Sequence, residues 1–266
     1  MSTLSTVAQT AEPMSQTQKP LPRLLDAGDS GLVVEFGSDV DEAVNQRVIA
    51  LDMALASAPI DGIRETVPTY RSLLVLFDPL LIDRATLGAK ILALEASEPV
   101  SNAGATLWRV PVLYGGESGV DLESVALTHG VTPEEIVEIH SGALYRVYMI
   151  GFAPGFAYLG GLPERIHTSR RTDPRAKTPP RSISIGGRQA AVSPPLEVPS
   201  GWHLLGQTPV SSYDPAREQP FLFAAGDTIR FFPVGAGEYR DMLAAAEDGE
   251  IVASRQAGPS GVSDAG

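Results

Sequence analysis

Apolar and polar positions along the chain fall into two regimes. In the first, Leu24 to Phe36 carries apolar residues on both sides of a Gly-Asp-Ser-Gly turn, which predicts two short strands. Val40, Val44, Val48, Leu51 and Leu55 then recur at helical spacing. Ile63, Glu65 and Val67 alternate, Leu73 to Phe77 reads as a buried strand, and Leu87, Ile91 and Leu94 stripe a second helix after Asp83. This succession predicts a compact α+β layer of the ferredoxin-like kind. A polar stretch with Pro and Gly, Ser97 to Thr106, separates it from the second regime, which is mostly β. There, Trp108 to Leu113, Ser182 to Ile185, Ala190 to Val192 and Thr228 to Phe232 read as strands, and Asp121 to His129 as a short helix. Thr132-Pro133-Glu134-Glu135 marks a helix start, with threonine as cap, proline first and glutamate third. The expected organisation is a disordered tail over 1–21, an α+β domain over 22–104, a β-rich domain over 105–237 and a mostly disordered tail over 238–266.

The stretch from Tyr145 to Leu162 departs from either pattern. It opens as a strand and then places Phe152, Phe156 and Tyr158 among Gly151, Pro154, Gly155, Gly160 and Gly161. Glycine permits sharp turns and close approach, and proline fixes φ. Ordinary connections are short and polar. Two readings stand: a hydrophobic plug closing one end of a barrel, or a rigid pocket walled by aromatic rings. Just beyond it, Arg165, Arg170, Arg171, Arg175, Lys177 and Arg181 cluster beside only Glu164 and Asp173, in a chain whose net charge is -12. Guanidinium forks match carboxylate and phosphate, so loop and cluster together predict a site for a small anion. The alternative is a solvated charged loop.

Composition narrows the chemistry. The chain has no cysteine, which excludes disulfides, a thiolate nucleophile and a cysteine zinc site, and fits a cytoplasmic protein. The first twenty residues show no basic-then-apolar leader. No apolar run approaches the length of a membrane span, and the acidic balance argues against nucleic acid. There is no Gly-x-x-x-x-Gly-Lys-Ser/Thr loop for phosphates and no Gly-x-Ser-x-Gly elbow. The four histidines, His129, His140, His167 and His203, lack metal-ligand spacing, so no metal site is expected. Trp202 could wall a pocket, but filling the barrel core is its more ordinary role.

Three runs carry a resemblance. They are Arg146-Val-Tyr-Met-Ile-Gly-Phe-Ala-Pro-Gly-Phe-Ala-Tyr-Leu-Gly-Gly-Leu162, then Arg170-Arg171, then Ser200-Gly-Trp-His-Leu-Leu-Gly-Gln-Thr-Pro209. With Asp26 to Gly37, Val67-Pro-Thr-Tyr-Arg-Ser-Leu-Leu-Val75 and Val110 to Glu117, the chain resembles the Kip inhibitor family over roughly residues 22 to 235. The same family is known as the B subunits of 5-oxoprolinase, or as allophanate hydrolase subunit 1. The resemblance implies a cyclophilin-like β-barrel after the ferredoxin-like domain. It implies action on a small anionic substrate with subunits C and A of an ATP-dependent 5-oxoprolinase, ATP and any Mg2+ being held mainly by the complex. The family's other activities imply two alternatives: a carboxyltransferase part of urea carboxylase, or a non-enzymatic inhibitor of a sensor histidine kinase. Departures from the family pattern are Ala190 for a threonine, Ser193 for a tyrosine, Ser200 for a glycine and Ala157 for a proline. Together these readings assign catalytic roles to His140, Arg170, Arg171 and Gln189. They assign substrate contacts to Gly151, Phe152, Pro154, Gly155, Phe156, Tyr158, Leu159, Arg175, Lys177 and Trp202.

Overall fold

A computed structural model describes residues 21–39, 41–96 and 105–256. The expectation for the N-terminal tail, and the place of Val40 in the helical stripe, fall outside the described residues.

The N-terminal layer is a four-stranded antiparallel sheet with two helices. Its strands are β1 (Arg23–Asp26), β2 (Gly31–Glu35), β3 (Ile63–Pro68) and β4 (Ser72–Phe77), in the spatial order β1-β2-β4-β3. Helix α1 (Glu42–Ser57) is capped by the Asp41 carboxylate, which accepts from the Val44 N–H, and α2 (Arg84–Ala96) follows β4. Val48, Leu51 and Leu55 of α1 pack on Leu32, Val34, Leu73 and Val75 of the sheet, with Leu87 and Ile91 of α2. A ferredoxin-like βαββαβ unit would place its last strand after α2. Here the edge beside β2 is taken by β1, which precedes everything else in the layer.

The second unit is a closed barrel. Its strands are β5 (Leu107–Tyr114), β6 (Tyr145–Ile150), β7 (Ala157–Gly160), β9 (Ser182–Gly186), β10 (Gln189–Val192), β12 (His203–Gln207) and β13 (Thr228–Pro233). They run in the order β12-β9-β10-β7-β6-β13-β5, and β12 pairs back with β5 to close a ring of seven strands. Strands β8 (Arg175–Thr178) and β11 (Val198–Ser200) form a separate two-stranded ribbon. Helices α3 (Leu122–His129) and α4 (Pro133–Gly142) contribute Leu122, Val125 and Ile136 to the barrel core, with Trp108, Val147, Leu159, Ile183 and Phe231 from the strands. The cap expected for α4 is present in both directions: Thr132 Oγ1 accepts from the Glu135 N–H, and the Glu135 carboxylate accepts from the Thr132 N–H.

Over residues 238–256 the expected C-terminal tail is corrected by the structure; the remainder of that expectation, 257–266, falls outside the described residues. Residues Ala236–Glu247 form a helix, α5, and Ser254–Gln256 form β14 against β5. The reason lies in backbone hydrogen bonding. β12 pairs only with Leu113 and Tyr114 at one end of β5, whereas β14 pairs with Leu107, Trp108 and Arg109 at the other. The returning chain thus satisfies backbone groups that barrel closure leaves open. Burial of Ala253 anchors it.

His140 belongs to the core and not to a catalytic set. It is fully buried, its Nδ1 lies 2.8 Å from the Tyr114 hydroxyl, and its ring stacks on Phe231. Burial disfavours the imidazolium and lowers its pKa to about 3. The unfolded chain therefore binds a proton below about pH 6.5 that the folded chain refuses, so His140's contribution is complete above that pH and declines below it. We expect stability to fall by up to about 1.4 kcal/mol per pH unit from this group between roughly pH 6.5 and 3. The His140 imidazole resonances should stay in the neutral form down to about pH 5. Titration near its ordinary pKa would place the ring in solvent.

Candidate functional site

The aromatic loop packs outside the barrel core. Side chains alternate across β10, so Ala190 faces the core while Ala191 faces outward. Against Ala191 pack Phe156, Trp202 and Val198, a cluster distinct from the core. The expected placing of Trp202 inside the barrel core is thereby corrected, and Phe156 and Trp202 are buried in this separate cluster. Leu159 is the opposite case: it is fully buried within the core and cannot touch a substrate. The Trp202 indole lies close over Gly186, where a Cβ would come within 2.7 Å of the ring, so only glycine admits this approach. Ser200, the departure from the family glycine, has a use here: its Oγ accepts from the Trp202 N–H.

Further rings extend this cluster toward the N-terminal layer. Phe156 lies 4.7 Å from Tyr158, and Tyr158 lies 5.9 Å from Trp202 and 6.0 Å from Tyr70. Tyr70 also rests on Tyr148, 5.5 Å away. Asn45 of α1 ties the two units together here: its amide donates to the carbonyls of Thr69, Tyr70 and Tyr148. The Tyr70 hydroxyl is buried and has no hydrogen-bond partner among the described residues. Burial pushes its pKa well up, the Tyr158 ring adds to that, and the Arg170 charge opposes it. Tyr70 is thus a neutral phenol with an unspent O–H beside the same cluster. It was missed as a site residue, although it stands within the Val67–Val75 signature.

Arg170 sits above these rings. Its guanidinium carbon is 5.4 Å from the Trp202 ring centroid, and it forms no ion pair or hydrogen bond among the described residues. The backbone on either side is clamped. The His203 imidazole donates from Nε2 to the Ser169 carbonyl, and the Arg171 N–H donates to the Gly201 carbonyl at 2.7 Å. Gly187 N–H and His129 hold Thr168. A cleft of about 480 Å³ opens beside it, lined by residues 168–173 with Thr128, His167 and His203. Arg170 is therefore a pre-positioned cation with all its donors available, bordered by hydroxyls on one side and aromatic faces on the other.

The other basic residues are not equivalent to it. Asp121 is 4 % exposed and accepts a two-pronged bond from Arg175, at 2.8 Å and 2.8 Å, with Arg171 at 3.2 Å and the Leu204 N–H at 2.8 Å. Burial alone would raise this carboxyl's pKa, but the hydrogen bonds from Arg175 and Leu204 and the charges of Arg175 and Arg171 outweigh it and hold it below the usual range. Arg175, expected to touch substrate, is thus committed to Asp121, whereas Arg171, expected to be catalytic, shares that ion pair and also lines the cleft. Lys177 is also removed: it projects from the β8–β11 ribbon and pairs with exposed Glu197 at 2.7 Å. Gln189 remains near the site, since it shares the outward face of β10 with Ala191 and pairs with Gly186 beneath Trp202. Gly151 closes the loop by donating to the Phe156 carbonyl, while Phe152 and Pro154 are exposed at its tip.

Comparison with known proteins supports this reading of the architecture. The family described as "Carboxyltransferase domain, subdomain C and D" matches residues 22–223. The chain belongs to this family. Its likeness to the 5-oxoprolinase B subunit of Bacillus subtilis (strain 168) is 35 % identity over 226 residues, 80 % of this chain and 92 % of that protein. The crystal structure of TTHA0988 superposes with a TM-score of 0.71 at 35 % identity, over 77 % of this chain and 40 % of TTHA0988. The Kluyveromyces lactis urea amidolyase superposes with a TM-score of 0.74 over 92 % of this chain and 17 % of that protein. At 20 % identity this last likeness is one of fold. Among the described residues, no group of three or more His, Asp or Glu side chains gathers where a metal ion could be held, and no helix is long and apolar enough to cross a membrane.

Proposed function

We propose that this chain is the B subunit of a cytoplasmic ATP-dependent 5-oxoprolinase, acting with subunits C and A to activate 5-oxoproline for ring opening to L-glutamate. The observation that carries this is Arg170, on a clamped stretch of backbone and with a guanidinium unpaired among the described residues, beside an open cleft, in a chain whose near-full-length relative is named as the B subunit of a 5-oxoprolinase. In this reading Arg170 takes the substrate carboxylate or a transferred phosphoryl group. Tyr70 and Gln189 offer neutral hydrogen bonds, and Trp202, Phe156 and Tyr158 exclude water from one side. ATP is held mainly by the complex. The cleft's serine and threonine hydroxyls suit phosphate oxygens, whereas no carboxylate set for Mg2+ is offered among the described residues, so no step here runs through the ion. Placement and charge stabilisation, rather than a nucleophile from this chain, are its contribution. We also read the barrel as cyclophilin-like and the N-terminal layer as a ferredoxin-like sheet whose last strand has moved to the front.

The test is 5-oxoproline-dependent ATP hydrolysis. The purified chain should be inactive alone and active after mixing with subunits C and A. Turnover by the chain alone, or silence of the full mixture, would remove this reading. Biotin-dependent carboxylation of urea by the same mixture would replace it with the carboxyltransferase alternative.

A further inference from the structure

Gly201, Trp202 and His203 grip Arg171, Arg170 and Ser169 in reverse order, residue against residue. The Gly201 carbonyl accepts from the Arg171 N–H at 2.7 Å, the Trp202 ring centroid lies 5.4 Å from the Arg170 guanidinium carbon, and His203 Nε2 lies 2.9 Å from the Ser169 carbonyl. A carbonyl only accepts, so Nε2 carries the proton and donates it. Thr168 is held as well, its carbonyl accepting from the Gly187 N–H at 2.6 Å. Within 168–171, Arg170 makes no backbone hydrogen bond among the described residues.

His203 lines the cleft, yet neither ring nitrogen can serve a ligand there. Nε2 is committed to Ser169, and Nδ1 is buried without a partner among the described residues. What His203 contributes to the cleft is its hold on the Ser169 carbonyl. That carbonyl belongs to the same planar peptide unit as the Arg170 N–H, so pinning it fixes the plane from which the Arg170 side chain departs. Ser169 and Arg170 are both exposed, so burial does little to order them. Ordering Arg170 in advance lowers the entropy cost of binding an anion.

We propose that His203 is a positioning residue, which holds Arg170 ready for the anion through the Ser169 carbonyl and does not touch the anion itself. The proposal rests on the reading of Arg170 as the anion's partner in a 5-oxoprolinase.

The experiment compares His203→Ala, alone and combined with Arg170→Ala, with His203→Gln in the complex with subunits C and A. His203→Ala should lower kcat/KM for 5-oxoproline about 5- to 10-fold, as expected for one lost hydrogen bond. The loss should fall on whichever of kcat and KM Arg170→Ala changes. In the Arg170→Ala background the same substitution should cost less than about 2-fold, because the residue it acts through is gone. His203→Gln keeps an N–H donor at similar reach and should recover most of the rate. Where His203→Ala does not fold, His203→Phe keeps the bulk and removes the donor. Unchanged kcat/KM in His203→Ala, additive losses in the double variant, or no recovery in His203→Gln overturns the proposal. A second readout needs no turnover: amide hydrogen exchange in the lone chain. The Arg171 N–H should exchange about 10-fold faster in His203→Ala and regain its protection in His203→Gln. If the unaltered complex is silent, the oxoprolinase reading falls and the exchange decides alone, unchanged protection of Arg171 overturning the role of His203.

Discussion

Arg170→Ala is expected to lower 5-oxoproline-dependent ATP hydrolysis by the assembled complex about 30-fold or more, while moving the melting temperature by no more than about 2 °C. The rate figure follows from losing a charge-assisted bond of ~2 kcal/mol to the bound anion. The small thermal effect follows because the side chain is exposed and makes only a cation–π contact with Trp202. Arg170→Lys should recover part of the rate, since it keeps the charge but not the planar fork. Arg171→Ala should behave differently, because that guanidinium already binds the Asp121 carboxylate and the Asp173 carbonyl. Steady-state kinetics of both variants in the reconstituted complex decide the matter. Unchanged kcat/KM in Arg170→Ala would make it a solvated surface charge.

Asp121→Ala should be the more damaging change to the fold. It leaves Arg175 and Arg171 without a counter-charge in a partly buried setting and frees the Leu204 N–H. Removing one partner of such a group costs ~3–5 kcal/mol. For a domain of this size that is a drop of about 10 °C in melting temperature at neutral pH. The pH dependence carries a sign. Because the folded carboxyl is held below its ordinary pKa, its contribution is complete above about pH 4 and disappears as the pH falls through the lower folded value. The difference between wild type and variant should therefore be large near neutrality and shrink in strong acid. Thermal melts under both conditions check this, and a change below about 2 °C at neutral pH would show that the two arginines find other partners.

The two regimes of apolar spacing were readable along the chain because strand and helix periods reflect which residues must leave water. The α1 and α2 stripes, the Thr132–Glu135 cap and the core strands β4, β5, β9 and β13 followed from that local chemistry. The dense run of glycine and aromatic residues drew attention to the 151–162 loop, and the arginine cluster to the segment that lines the cleft. Which arginine is available was not legible. Arg170, Arg171 and Arg175 look alike in sequence, and their fates diverge only because Asp121, far earlier in the chain, folds against two of them. His140 read as a candidate because spacing does not report burial. Leu159 points into the core, and Ala191 away from it, because β7 and β10 put alternate residues on opposite faces of a closed barrel, a consequence of register and not of composition. Tyr70 joins the site only because Asn45 binds the Thr69–Tyr70 turn to the Tyr148 carbonyl. Strand β14 forms because barrel closure leaves half an edge of β5 unpaired. Local sequence dictates where the chain buries apolar surface. The pairing of distant charges and the satisfaction of buried backbone groups depend on contacts between remote segments, which exist only once the barrel has closed.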